Sequence, residues 1–254
     1  MATTPERLLL FGASGAIGGS ILEHASRKGW QVTGVSRRKP ASATAAHGWI
    51  AADPLDKLHD DNSHPDDLHE DAFSAELLAS AESGPYTSVC WAQGANGNDS
   101  VYDVKVEDHI ALYKANCVYV LVTLKALLSL KLLDHGSRLC VISSIWQNLA
   151  RQSKLSYCMS KAALQGLILS ASVDLAADGH LINAVLPGAL DTPMTRRNLS
   201  DDQIGRLTGA TKFGTLPQLH DVASLVCYLC SSENTGITGQ FIASDLGYSH
   251  VRIV

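Results

Sequence analysis

Seven short apolar runs alternate along the chain with longer stretches whose apolar residues recur at helical spacing. No other feature restricts the fold as much. The runs are Leu8–Phe11, Gln31–Val35, Trp49–Ala52, Ser88–Trp91, Arg138–Ser143, Leu181–Leu186 and Gln240–Ala243. The helical stretches are Ile17–Arg27, Phe73–Ala81, Ile110–Leu133, Tyr157–Ala177 and His220–Cys230. Strand and helix in turn, with no block of different composition, predict a parallel sheet covered by helices on both faces. The expected fold is therefore a single-domain α/β chain with a Rossmann-like, doubly wound sheet spanning residues 1–254. A chain of 254 residues is long enough to bury such a core without disulfide or metal staples. Ligands of sheets of this kind bind at the carboxyl ends of the strands.

Composition excludes several other classes. Hydrophobic residues make up 46% and charged residues 18%, which is a globular rather than a disordered balance. The net charge is −5 and no Lys/Arg-dense run occurs, so a nucleic-acid partner lacks its electrostatic footprint. The longest apolar stretch, Cys117–Leu133, carries Lys125 and Lys131 and is read as a buried helix, not a membrane span. The first apolar run runs straight into a glycine loop, which does not fit an export signal, so a cytoplasmic location with six free cysteines is expected. Cys227 and Cys230 have CxxC spacing but lie in an apolar helical pattern; a buried helix is preferred to a redox or zinc site. Residues 53–71 are rich in Asp and His. His59, His64 and His69 are spaced by five, which does not stack ligands on one helical face. A surface insertion over 54–71 is preferred there to a metal site, and no metal is expected.

The first chemical signal follows the first strand. In Gly12-Ala13-Ser14-Gly15-Ala16-Ile17-Gly18, glycine lets the backbone turn tightly and approach a pyrophosphate. The helix that follows points its free N–H groups at the anion. A strand before the loop, a helix after it and a second strand beyond make this a dinucleotide site. Gly12, Ser14, Gly15, Ile17 and Gly18 are its candidate contacts. After the second strand the chain reads Ser36-Arg37-Arg38-Lys39, with no carboxylate to accept from a ribose 2′-OH. NADP(H) is therefore the preferred cofactor and NAD(H) the alternative. Arg37 is the first candidate for the 2′-phosphate, with Arg38 and Ser36 beside it, and a merely solvated basic turn is the competing reading. Asp53, after the third strand, accepts from the adenine amino group or caps the next turn.

The second signal is Tyr157-Cys158-Met159-Ser160-Lys161. At i and i+4 on a helix, Tyr157 and Lys161 share a face. A phenol with a pKa of about 10 is a poor acid near neutrality, and a neighbouring ammonium lowers that value. Ser144 ends a strand upstream, where its hydroxyl can bond a reacting oxygen. Asn116 lies within the long helical stretch. Pro187, Gly188 and Thr192 follow the sixth strand. In this order these pieces, with Ile237-Thr238-Gly239-Gln240, resemble the short-chain dehydrogenase/reductases over nearly the whole chain. The resemblance implies that Tyr157 is the general acid/base and that Lys161 lowers its pKa and binds the nicotinamide ribose. It implies that Ser144 orients the substrate oxygen, Asn116 holds a relay water and Thr192 contacts the carboxamide. It further implies interconversion of a carbonyl and a secondary alcohol of a small-molecule substrate, and a homo-oligomer, tetramer or dimer, paired through the Ile110–Leu133 and Tyr157–Ala177 helices.

The chain also departs from that family. Phe11 stands where Thr usually opens the loop, and the glycines follow GxxGxxG, a spacing nearer the sugar-nucleotide epimerases. Trp91-Ala92-Gln93-Gly94 replaces Asn-Asn-Ala-Gly; only Gly94, a candidate cofactor contact, is kept, so the adenosine-side contacts and local hydrogen bonds are expected to be made differently. An epimerase or dehydratase, or a silent dinucleotide-sensing regulator, are the alternative functions. Residues 193–212 are expected to form a substrate lid. Trp146, Gln147 and Asn148 are candidate pocket residues. Arg196 and Arg197 either bind an anionic substrate group or are solvated helix charges.

Overall fold

A computed structural model of the chain describes residues 5–40, 43–55, 72–82, 84–192, 195–196 and 199–251. Seven strands, β1 (Arg7–Phe11), β2 (Gln31–Ser36), β3 (Gly48–Ala51), β4 (Tyr86–Trp91), β5 (Leu133–Ile142), β6 (Leu181–Pro187) and β7 (Phe241–Ser244), form one sheet in the order β3-β2-β1-β4-β5-β6-β7. Every adjacent pair is parallel. The helices are α1 (Ala16–Arg27), α2 (Ala72–Ser80), α3 (Val106–Tyr113), α4 (Tyr119–Ser129), α5 (Leu155–Asp174), α6 (Asp201–Ala210) and α7 (Leu219–Leu229).

β1 shows why this sequence makes a two-sided sheet. Its side chains alternate between faces, yet Leu8, Leu9, Leu10 and Phe11 are all fully buried. Leu8 and Leu10 pack with Ile21 of α1 and Val226 of α7. Leu9 and Phe11 pack with Leu77 of α2, Leu124 of α4 and Leu164 of α5. A strand covered on both sides reads as an unbroken apolar run, which is the pattern seen here. Cys227 and Cys230 lie on the core face of α7, fully buried, as its apolar spacing predicts.

All seven expected strands are present, and one helix boundary needs correction. The Ile110–Leu133 stretch begins earlier, at Val106, and its α-helix stops at Ser129; Leu133 opens β5. Lys131 takes a left-handed φ of 55° and turns the chain out of the helix. The run is also interrupted by a π turn, Lys114–Val118. By length and composition Val106–Ser129 is apolar enough to cross a bilayer, but half of its most apolar window is packed inside the fold. Of the expected insertion, residues 56–71 lie outside the described residues.

Beneath the sheet, Nδ1 of His180 accepts a hydrogen bond from the Ser137 amide at 3.0 Å, which requires a neutral imidazole. Burial holds the His180 pKa below its ordinary value. His24 is lowered too, by burial and by the charges of His220, Lys28 and Arg27. Both groups bind a proton more weakly folded than unfolded. Their stabilising contribution is complete above the unfolded pKa of about 6.5, begins to fall below it and is lost as pH falls through the lower folded values. The urea midpoint is expected to drop between pH 7.5 and pH 6, and His180→Gln to remove part of that drop. Equal midpoints at the two pH values contradict this account.

Candidate active site

The strand order reverses beside β1, between β2 on one side and β4 on the other, and opens a crevice at the carboxyl ends. The glycine loop lies in it. Gly12 has φ +74°, and a Cβ there would stand 2.4 Å from the Gln93 amide nitrogen. A Cβ on Gly18 would stand 2.2 Å from the Gly12 carbonyl oxygen. Only bare backbone fits at these two positions. Gly15 is the N-cap of α1 and offers no side-chain cap, and the first turn carries no acidic residue. The N–H groups at that helix end thus face the crevice with the positive end of the helix dipole. Ile17 lines the same opening.

One end of the crevice is a pocket lined by Gly12, Ser14, Ser36, Arg37, Arg38 and Asp53, among others. The Ser36 hydroxyl donates to the Arg38 carbonyl at 2.7 Å and fixes the turn. Arg37 and Arg38 are exposed. Asp53 accepts from the Leu55 amide at 3.1 Å, so it does cap the next turn while its carboxylate still borders the pocket. Two lining residues went unread in the sequence. Tyr119 forms part of the wall, its hydroxyl pushed up by burial and by the charge of Asp53. Gln93 borders both ends of the crevice, and its buried Oε1 has no hydrogen-bond partner.

The other end is a cleft lined by Ser144, Tyr157, Lys161, Pro187, Gly188 and Thr192 together with further residues. Lys161 is only 3% exposed; its Nζ donates to the Ile142 carbonyl at 3.0 Å and stands 5.8 Å from the centre of the Tyr157 ring. Burial lowers its pKa to about 8, so it is still charged at neutral pH. Burial raises the Tyr157 pKa, and a side-chain hydrogen bond with Ser144 works against that rise. The Ser144 hydroxyl also accepts from the Trp146 amide at 3.3 Å as the N-cap of a short 3-10 turn, Ile145–Gln147. Thr192 is held by the Thr195 amide, which donates to its hydroxyl at 3.1 Å.

Asn116 sits in the π turn and is almost fully buried. Its Nδ2 donates to the Ala95 carbonyl at 3.1 Å and to the Ser160 hydroxyl at 2.9 Å, and its Oδ1 accepts from the Ala95 amide at 2.7 Å. The amide therefore has no donor left. It clamps the segment after β4 against α5. Gly94 completes this contact, since a Cβ there would meet Asn116 Oδ1 at 3.1 Å and Lys161 Nζ at 3.5 Å.

The candidate substrate residues divide. Trp146 lines the cleft. Gln147 instead is buried behind it, accepting from the Ser143 hydroxyl at 2.6 Å, and Asn148 is exposed. A 3-10 turn rotates each residue by about 120°, so three successive side chains cannot share one face. Arg196 makes a forked ion pair with Asp191 at 2.8 and 2.7 Å and does not line the cleft. Arg197 lies outside the described residues. In their place the cleft presents Arg151 and Lys154, which sequence patterning did not single out.

Comparison with known proteins agrees with this geometry. Residues 12–249 match the family described as enoyl-(acyl carrier protein) reductase. The chain is 26% identical over 234 residues to the 3-oxoacyl-(acyl-carrier-protein) reductase FabG of Escherichia coli (strain K12), covering 91% of this chain and 92% of that one. A short-chain dehydrogenase family protein of Francisella tularensis superposes with a TM-score of 0.81 at 21% identity, over 97% of this chain and 99% of that one. The ligand-free aldohexose dehydrogenase of Thermoplasma acidophilum gives 0.83 at 20% identity, over 98% and 96%. These two share the fold. With the family match covering nearly the whole chain, and a doubly wound sheet carrying the Tyr–Lys pair at its switch point, the protein belongs to the short-chain dehydrogenase/reductase family of oxidoreductases.

Proposed function

We propose that the protein is an NADP(H)-dependent oxidoreductase that interconverts a carbonyl and a secondary alcohol. The observation that carries the reading is one crevice with two chemically distinct ends. Ser144, Tyr157 and Lys161 meet at one, and the exposed Arg37 and Arg38 border the other. The residues fit a dinucleotide. Gly12 and Gly18 form a cradle that any Cβ would fill, α1 is uncapped, and the orphaned Gln93 Oε1 offers an acceptor between the two ends. Gly12, Ser14, Gly15, Ile17 and Gly18 would hold the pyrophosphate and Ser36, Arg37 and Arg38 the 2′-phosphate. Asp53 and Gly94 would border the adenosine, and Pro187, Gly188 and Thr192 the nicotinamide end. When bound, the nicotinamide supplies or accepts the hydride.

Tyr157 gives its phenolic proton to the carbonyl oxygen, or takes one from the alcohol. Lys161, charged and buried 5.8 Å from the ring, favours the phenolate that this leaves. Ser144 shares a hydrogen bond with Tyr157 and so orients the same oxygen. With both Asn116 amide donors engaged, a relay water would be held by its main-chain carbonyl in the π turn, where the regular α ladder is broken. Residues 193–212 act as the lid; α6 lies there, and Leu199 borders the cleft. Exposed Leu121 on α4 with Leu169 and Val173 on α5 support pairing of copies into a dimer or tetramer. The reading places the protein in the cytoplasm.

Initial rates against a carbonyl panel, with NADPH and NADH in parallel, test the proposal. NADPH is expected to be preferred. Arg37→Glu is expected to lower that preference by about 10- to 100-fold, the value of a charge-assisted contact to phosphate. A clear preference of the native protein for NADH removes Arg37 from this role.

A further inference from the structure

The cleft beside Tyr157 has an unusual charge balance. Among the described residues its walls include Arg151, Lys154 and Lys161 and no Asp or Glu, although the chain as a whole carries −5. Lys161 is accounted for by Tyr157. The other two cations are not. Lys154 is 5% exposed, and its Nζ stands 5.6 Å from the centre of the Tyr157 ring, close to the 5.8 Å of Lys161. Two ammonium groups therefore stand within 6 Å of the Tyr157 ring centre.

Among the described residues, Lys154 has only neutral partners. Nζ donates to Asn96 Oδ1 at 2.7 Å and to the Gly97 carbonyl at 2.9 Å. An ammonium has three donors, so one remains. Asp99 favours the charged form of Lys154 from a distance but makes no hydrogen bond or ion pair with it; its carboxylate accepts from the Ser156 amide at 2.9 Å and from the Ser156 hydroxyl. Arg151 stacks over the Trp146 ring at 6.0 Å and makes no ion pair among the described residues. Ser153, just before Lys154, is held in the left-handed region at φ +57°. Such a conformation in a residue other than glycine is strained and persists where the surroundings demand it.

A buried ammonium costs free energy unless it is paired. If Lys154 only tied Asn96 to Gly97, a neutral amide would make the same bonds without that cost. A charged group retained in a cleft without carboxylates is half of an ion pair whose other half arrives with the ligand. We infer that the substrate is an anion, a short-chain keto acid or the corresponding hydroxy acid, whose carboxylate is bound by Lys154 and Arg151 while its carbonyl oxygen meets Tyr157 and Ser144. The inference rests on the oxidoreductase reading and adds the substrate class. Lys154 and Arg151 thus determine specificity, while Tyr157 handles the proton.

The test is a set of α-, β- and γ-keto acids, each paired with its methyl ester and reduced with NADPH. At least one acid is expected to exceed its ester in kcat/KM by about 10- to 100-fold, the range of a charge-assisted hydrogen bond. In Lys154→Met that ratio is expected to fall by a similar factor, mainly through KM. Arg151→Gln, at a more exposed position, is expected to lower it less. Lys154→Gln keeps a donor for Asn96 and Gly97. If Lys154→Met fails to fold, Lys154→Gln carries the test, and its acid-to-ester ratio is expected to fall in the same way.

Esters reduced as well as acids by the native protein, or a ratio unchanged in the Lys154 variants, overturn the inference and leave the oxidoreductase reading standing. If neither acids nor esters are reduced, that reading fails, and the anion site is judged by binding alone. Thermal-shift titration with butyrate against butyramide then decides, and equal binding overturns the site.

Discussion

Replacing Tyr157 by phenylalanine is expected to lower turnover by about 10²- to 10⁴-fold, the range contributed by a positioned general acid. NADPH binding is expected to survive, because the phenol is not part of the glycine cradle or the Arg37 turn. The substitution removes one oxygen from a half-buried ring that lines the cleft, so folding is not at risk from lost volume. What disappears is the one phenol that, among the described residues, lines the cleft beside Ser144 and Lys161. Ser144 remains able to bond the carbonyl but has no pKa suited to deliver the proton. Lys161 is committed to the Ile142 carbonyl at 3.0 Å. Turnover followed at the NADPH absorbance band, with cofactor binding measured on the same sample, checks the result. Turnover within a few-fold of the native protein, with binding intact, takes the proton-transfer role away from Tyr157.

The parts of the molecule legible in the sequence are those set by local geometry. The central strands could be read because both faces of the sheet are covered there, so β1, β4 and β6 are nearly continuous buried runs, whereas the edge strands β3 and β7 are short and only partly buried. Tyr157 and Lys161 could be paired because four residues on a helix bring side chains to one face. Where tertiary contacts decide, patterning fails. The helix ending at Ser129 was overrun because its turn is made by Lys131 at φ 55° and not by the glycine that usually marks a helix stop. Gln147 and Asn148 looked like neighbours of Trp146 but leave the cleft because a 3-10 turn fans them out. Lys154 was invisible for the opposite reason. It sits in a polar segment, and its burial arises only when Asn96 and Gly97, from the other side of the crevice, close over it.

The two departures from the family pattern behave differently once the strands are in register. Phe11 and Trp91 are distant in sequence and look like independent losses. In the sheet they are direct partners, Phe11 of β1 opposite Trp91 of β4. Their rings stack at 5.8 Å with an interplanar angle of 4°, and Tyr119 meets Phe11 edge-on at 5.9 Å. The indole N–H of Trp91 donates to the Thr123 hydroxyl at 2.8 Å, so nothing polar on it is left unpaired. Where the family pattern has Thr and Asn, this chain has two aromatic rings in direct contact, with Tyr119 of the pocket wall against Phe11.

Trp91→Asn, which restores the usual residue on one side only, is therefore expected to destabilise the protein by about 3–5 kcal/mol. That is the cost of emptying a fully buried aromatic site, with an amide stranded against Phe11 in addition. Against a typical total of about 5–15 kcal/mol this is severe. Trp91→Phe keeps most of the volume and provides a variant certain to be measurable. A double-mutant cycle of Phe11→Leu and Trp91→Leu, read from urea midpoints, is expected to show coupling of about 0.5–1.5 kcal/mol from the ring pair. Coupling near zero would mean that the two positions changed independently, and that the pocket wall does not depend on their stacking.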